Sequence, residues 1–264
     1  MHPITKKFKE AKEENRLAIM THVVIGYPSI TETKSIVKMM VEEGVDFIEL
    51  QLPFSDPIGD GPTIHKANTV SLKNGTKVAD AFALAKELVS VEKVPIPLLF
   101  MTYLNIAFAY GLEKFCKDAS EVGIVGLIIP DYNLENEEYD NFEEYAKKYN
   151  LVLVRFASLD STEERLKMLA KDAPGFVYCF STRGVTGARD QMNSYLDTHL
   201  AKLHKIFAVP LAVGFGISNG EHVRSLKGHA EAVVVGSAMI KAYEEGGIES
   251  ARAKTKELVE ACRT

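Results

Sequence analysis

The chain has 264 residues, 46% hydrophobic and 25% charged, which excludes a disordered or fibrous protein and leaves ample apolar material for a core. A net charge of −5 and a pI near 5.9 give no electrostatic footprint for nucleic acid or an anionic membrane, so small molecules and proteins are the expected partners. Cys116, Cys179 and Cys262 have neither CxxC spacing nor His-rich neighbours, which argues against a disulfide framework or a zinc site; the charged N-terminus and the shortness of every apolar run predict a cytoplasmic protein without a signal or membrane span.

In chain order, "TKKFKEAKEENR" (5 to 16) reads as a helix placed before the first strand, where it caps the N-terminal mouth of the strand assembly. Eight short apolar runs then read as strands: "LAIMTHVVI" (17 to 25), "DFIEL" (46 to 50), "IPLLFM" (96 to 101), "IVGLIIP" (124 to 130), "LVLVRF" (151 to 156), "GFVYCF" (175 to 180), "VPLAVGF" (209 to 215) and "EAVVVG" (231 to 236). Between them lie amphipathic segments with helical spacing, among them 31 to 43, 78 to 90, 112 to 123 and 137 to 149, and "ESARAKTKELVEAC" near the C-terminus closes the series. Strands alternating with helices predict parallel pairing through helical crossovers. Eight such units in this length, with no linker or shift of composition, predict one domain over residues 1–264: a single (β/α)8 TIM barrel with an extra N-terminal helix.

Barrels of this kind place their chemistry at the C-terminal strand ends. Glu49 lies near the end of the second strand, and strand parity puts Phe47, Glu49 and Gln51 on one face and Ile48 and Leu50 on the other. Because the apolar parity packs against the outer helices, Glu49 is expected to point into the barrel mouth. A structural ion pair accounts for a buried Glu equally well. The following loop, "PFSDPIGDGP", adds Asp56 and Asp60, and a second carboxylate near Glu49 suits general acid and base work on one substrate, although Asp-Pro and Asp-Gly also form plain turns. After the seventh and eighth strands come "VGFGIS" and "VGSAMIK", where Gly216, Gly236 and Ser237 offer open backbone N–H groups and a hydroxyl at the usual phosphate position of a barrel. In "STRGVTGARDQ" (181 to 191), Gly184 and Gly187 suit either the hinges of a lid carrying Thr186 or a plain surface loop. Tyr178, just before it, is by default a core aromatic. His22 and His65 have no partner at metal-ligand spacing, so no metal is assigned.

Taken together, "FIELQLPFSDPIGDGPTI", "MTYLN", "GLIIPD", "STRGVTGAR", "AVGFGIS" and "VVVGSAMIK", in this order and spacing, make the chain resemble the α subunit of tryptophan synthase nearly end to end. The resemblance implies a carbon–carbon lyase of tryptophan biosynthesis that cleaves indole-3-glycerol phosphate to indole and glyceraldehyde 3-phosphate. It needs no cofactor in this chain and hands indole to a pyridoxal-phosphate-dependent β subunit in an α2β2 complex. It assigns catalysis to Glu49, Asp60 and Tyr178, phosphate and substrate binding to Thr186, Gly187, Phe215, Gly216, Gly236 and Ser237, and the partner interface to Pro53, Phe54, Asp56, Asn105 and Asp131. The chain departs from the family pattern at His22, usually apolar, at Gln51, usually Gly, at His65, usually Gln, and at Asn133, usually Pro. A freestanding lyase, an inactive activator of a β subunit and another phosphate-binding barrel enzyme are the competing readings. The last is disfavoured because metal-ligand histidines and a strand-end Schiff-base lysine are both missing from the pattern.

Overall fold

A computed structural model describes the chain apart from Leu159, residues 181–188 and Phe215; the side chains of Asn136, Glu137, Tyr139 and residues 189–195 are also outside the description. Its strands are β1 (Ala18–Val24), β2 (Phe47–Gln51), β3 (Leu98–Met101), β4 (Gly126–Ile128), β5 (Val152–Leu153), β6 (Arg155–Ser158), β7 (Val177–Phe180), β8 (Leu211–Val213) and β9 (Ala232–Val235). They form one parallel sheet in the order β5-β4-β3-β2-β1-β9-β8-β7-β6. The two ends of that order, β5 and β6, are separated only by Val154 and are halves of one extended segment, so the sheet closes on itself as an eight-unit barrel surrounded by helices.

Each predicted strand is found; six are shortened at their ends, the second runs one residue further, to Gln51, and the fifth is split at Val154 and continues to Ser158. Two helix expectations change. The segment 137 to 149 is split into Glu137–Asp140 and Phe142–Lys148, because Asn141 sits in the left-handed region at φ 54° and breaks the helical ladder. The C-terminal segment belongs to a longer run, Ser237–Arg263, interrupted where Gly246 and Gly247 leave helical geometry.

The alternation in β2 sorts the core. Ile48 and Leu50 face outward into the large cluster with Ile36, Val37 and Met40 of the helix Ile30–Glu42, while Phe47 faces inward with Met20, Leu99 and Phe176. The helix Pro3–Glu13 closes the bottom of the barrel with Ile4, Phe8 and Ala11, spaced to share one face, and the Phe8 ring lies 5.0 Å from Phe47 and 5.7 Å from Phe176. Beside it, Arg16 grips Asp46 through two bonds of 2.6 and 2.9 Å, and the same carboxylate accepts the Ile19 backbone N–H at 3.0 Å. With the lower mouth filled by hydrocarbon, the upper mouth is left for polar groups.

Candidate active site

Parity continues up the inner wall. Above Phe47 stands Glu49, above that Gln51, and across the parallel pair His22 of β1 is in register with Glu49. All three are buried: Glu49 is 2% exposed, His22 4% and Gln51 not at all. Two residues along one strand face are separated by roughly 7 Å, and the imidazole bridges that gap. His22 Nδ1 lies 3.0 Å from Glu49 Oε2, and His22 Nε2 lies 2.8 Å from Gln51 Oε1. Gln51 Nε2 in turn donates to Asp60 Oδ2 at 2.7 Å. The two carboxylates singled out in the sequence therefore belong to one chain, Glu49–His22–Gln51–Asp60.

Asp60 is held from two further sides. Asn68, from the helix Pro62–Lys73, donates through Nδ2 to Asp60 Oδ2 at 3.3 Å, and its amide cannot be flipped, because Oδ1 already accepts the Phe54 backbone N–H at 3.0 Å. The Tyr103 hydroxyl, just past β3, accepts the Gly59 N–H at 3.1 Å and also bonds Asp60. Burial raises the Asp60 carboxyl above its ordinary range, against the opposing pull of His22, Gln51, Tyr103 and Asn68, so Asp60 is a stronger base than a surface aspartate. For His22, burial disfavours the imidazolium, but the bond and charge of Glu49, the charge of Asp60 and the Gln51 bond outweigh it, and the histidine holds its proton above the ordinary range.

Glu49 uses only one oxygen in this chain. Its Oε1 is buried and has no hydrogen-bond partner among the described residues. Orphaned buried carboxylate oxygens are costly, and one aimed into a barrel mouth is poised for a substrate proton.

Tyr178, on β7, faces the same space. Burial and the negative charges of Glu49 and Asp60 push its phenol well up, so it stays neutral and able to donate. Its ring stacks on Phe156 at 5.2 Å and is backed by Gly214, where a Cβ would stand 2.7 Å from the ring. Glycine at 214 is what lets the tyrosine sit there. On the neighbouring units, Gly236 precedes the first turn of Ser237–Arg263, so its end of the helix presents free N–H groups beside Ser237. Gly216 has φ +65° with open space where a Cβ would be; it stands four residues before the short helix Gly220–Arg224 and not at its first turn. Thr186, Gly187 and Phe215 lie outside the described residues.

The expected interface residues divide. Asp56 and Asn105 are exposed and Phe54 is half-buried, stacked on Tyr103 at 5.2 Å. Pro53 is buried, and Asp131 caps the helix Leu104–Tyr110 by accepting the Leu104 N–H at 2.9 Å. Two large apolar side chains that sequence reading passed over, Ile58 and Phe108, are 83% and 67% exposed beside these residues in the chain. Sequence reading also missed Asn68 and Tyr103, although the "PTIH" start after the Asp60 loop carries a Pro-at-N1 signal for the helix that brings Asn68 in. Of the departures noted, His22 and Gln51 lie at the heart of the site, His65 is exposed, and Asn133 accepts from Arg165 at 3.4 Å on the surface. No cluster of three or more metal-ligating side chains and no helix long and apolar enough to cross a membrane occurs among the described residues.

Known proteins resemble the chain in sequence and fold. A chain from Desulfotalea psychrophila named tryptophan synthase alpha chain is 44% identical over 244 residues, covering 92% of this chain and 94% of that one. Its namesake from Aquifex aeolicus is 38% identical over the full length of both. A solved structure of Mycobacterium tuberculosis tryptophan synthase superposes with a TM-score of 0.91 at 30% identity, covering 100% of this chain and 99% of that one. The sequence profile described as "Tryptophan synthase alpha chain" matches residues 8–264, and with a barrel mouth built from the motifs at Glu49 and Asp60, the chain belongs to the tryptophan synthase alpha chain family.

Proposed function

We propose that this chain cleaves indole-3-glycerol phosphate to indole and glyceraldehyde 3-phosphate by a retro-aldol reaction, and passes indole to a pyridoxal-phosphate-dependent β subunit in an α2β2 complex. The observation that carries the reading is the unpartnered, buried Glu49 Oε1 in a mouth that also holds Asp60. The reaction adds a proton to the indole ring carbon that leaves and removes one from the glycerol hydroxyl next to the breaking bond. Glu49 performs both transfers in turn, as acid and then as base, and ends the cycle in the form in which it began. Asp60 accepts the indole N–H as positive charge builds on the protonated ring, a task favoured by its raised basicity. Tyr178 donates its hydroxyl near the reacting bond. Gly216, Gly236 and Ser237 receive the phosphate together with Thr186, Gly187 and Phe215, which tethers one end of the substrate while the carboxylates work on the other.

Exposed Ile58 and Phe108 favour a chain that works against a partner over a freestanding lyase. Ile58 lies in the loop that ends at Asp60, so a docked subunit orders the segment that carries the second carboxylate.

Indole release from indole-3-glycerol phosphate, measured with and without β subunit, tests the reading. Turnover should rise about tenfold or more on saturation with the partner, and Glu49→Gln should lower it by about 10²- to 10⁴-fold while circular dichroism stays unchanged. A folded Glu49→Gln protein with normal turnover removes Glu49 from the reaction. Association without any lyase activity leaves only the activating-partner reading.

A further inference from the structure

The link between the two carboxylates runs through His22 and Gln51, the two inner-wall residues that depart from the family pattern, and neither departure makes sense alone. A lone histidine in place of an apolar side chain would strand a ring nitrogen in the barrel, and a lone glutamine in place of glycine would strand an amide. Together they satisfy each other at 2.8 Å and consume one oxygen each of Glu49 and Asp60.

The proton positions are set by the fixed end of the chain. Gln51 donates its NH2 to Asp60, so its carbonyl oxygen faces His22, and His22 Nε2 must carry a hydrogen to meet it. With Nε2 protonated, the proton that His22 and Glu49 exchange lies on the 3.0 Å line between His22 Nδ1 and Glu49 Oε2. Imidazolium with carboxylate, and neutral imidazole with carboxylic acid, are two forms of one singly protonated pair.

We propose that His22 is a positioning residue for the reaction: it shares one proton with Glu49 and, through Gln51, locks Asp60 into the same hydrogen-bonded chain, so that a buried base keeps the catalytic acid loaded. The inference rests on the lyase reading above. In the step itself the shared proton passes from Nδ1 to Glu49 Oε2, the carboxyl group turns to present that O–H to the mouth, and the carboxylic acid gives it to the indole carbon. The carboxylate left beside neutral His22 takes the hydroxyl proton as the carbon–carbon bond breaks, and the pair is again singly protonated. No proton is gained or lost over the cycle. Among the described residues, the titratable groups facing the pair are Asp60 from the loop after β2, Tyr103 beside Asp60, and Tyr178 of β7 beside Glu49, and the uncharged Gly236 of the last unit lies against His22. The raised proton affinity of His22 agrees with a pair that stays loaded above the ordinary histidine range.

The test compares the pH dependence of kcat/KM, with β subunit present, for the native chain, His22→Phe and His22→Asn. In the native chain the alkaline limb belongs to the pair. In both variants the pair is broken, so the alkaline limb should move from its native position, and an unmoved limb in both would overturn the shared proton. Asn retains a polar side chain of similar reach, so recovery of the native profile by His22→Asn would overturn the shared proton. An NMR titration of ring-labelled histidine is independent of activity: the His22 signal should titrate lower in Glu49→Gln, and its Nε2–H signature should change in Gln51→Gly. A His22 titration indifferent to Glu49→Gln refutes the proposal. A native chain with no lyase activity refutes the function instead, and the NMR arm still decides whether the chain of contacts exists.

Discussion

Gly214→Ala places a methyl group 2.7 Å from the nearest atom of the Tyr178 ring, where ordinary carbon contacts begin near 3.5 Å. The ring must therefore move by about 1 Å. It cannot retreat freely, because Phe156 is stacked on it at 5.2 Å and Phe156 is in turn packed edge-on against Phe180 at 5.8 Å. Overpacking of this kind costs about 1–3 kcal/mol of stability, and a displacement of about 1 Å at a reacting centre can cost on the order of 10²-fold in rate. Tyr178→Phe keeps the ring in place and removes only the hydroxyl, so the pair of variants separates position from proton donation. The assay is steady-state indole release in the presence of β subunit, with thermal denaturation of each protein alongside. Gly214→Ala should lose kcat by more than Tyr178→Phe does, with a modest fall in Tm. A Gly214→Ala protein with native kcat and Tm would show that the ring position has no bearing on turnover and would refute the reasoning.

Asp46→Ala removes the carboxylate that holds both Arg16 nitrogens and the Ile19 N–H. Arg16 keeps Glu14 and the Leu17 carbonyl, so the loss stays at about 2–4 kcal/mol and Tm should fall by about 5–15 °C; a shift under about 2 °C would mean that the lower mouth is held by packing alone. Ile58→Asp and Phe108→Asp alter side chains that are 83% and 67% exposed, so the isolated chain should unfold as the native one does. Affinity for the β subunit in sedimentation velocity should fall about tenfold or more, and unchanged affinity for both would place the partner elsewhere.

The barrel was legible in the sequence because its elements are local. Apolar runs separated by amphipathic segments identify strands and helices without knowledge of their neighbours, and the parity of "FIELQ" by itself puts Glu49 on the opposite face from Ile48 and Leu50. Family motifs in the right order then located Glu49 and Asp60, because a loop that must carry a carboxylate between turns leaves a dense Pro, Asp and Gly signature. What connects those two residues was not legible. His22 lies 27 positions from Glu49, and Asn68 and Tyr103 reach Asp60 from a helix and from the end of the next strand; only the closing of the parallel sheet, which fixes β1 against β2 and β2 against β3, brings them together. Taken singly, His22 and Gln51 read as departures from a family pattern, since a sequence shows each substitution at its own position. Tertiary structure decided their meaning, because a hydrogen bond needs two groups at one place in space and the chain that supplies them is folded through the barrel wall before they meet.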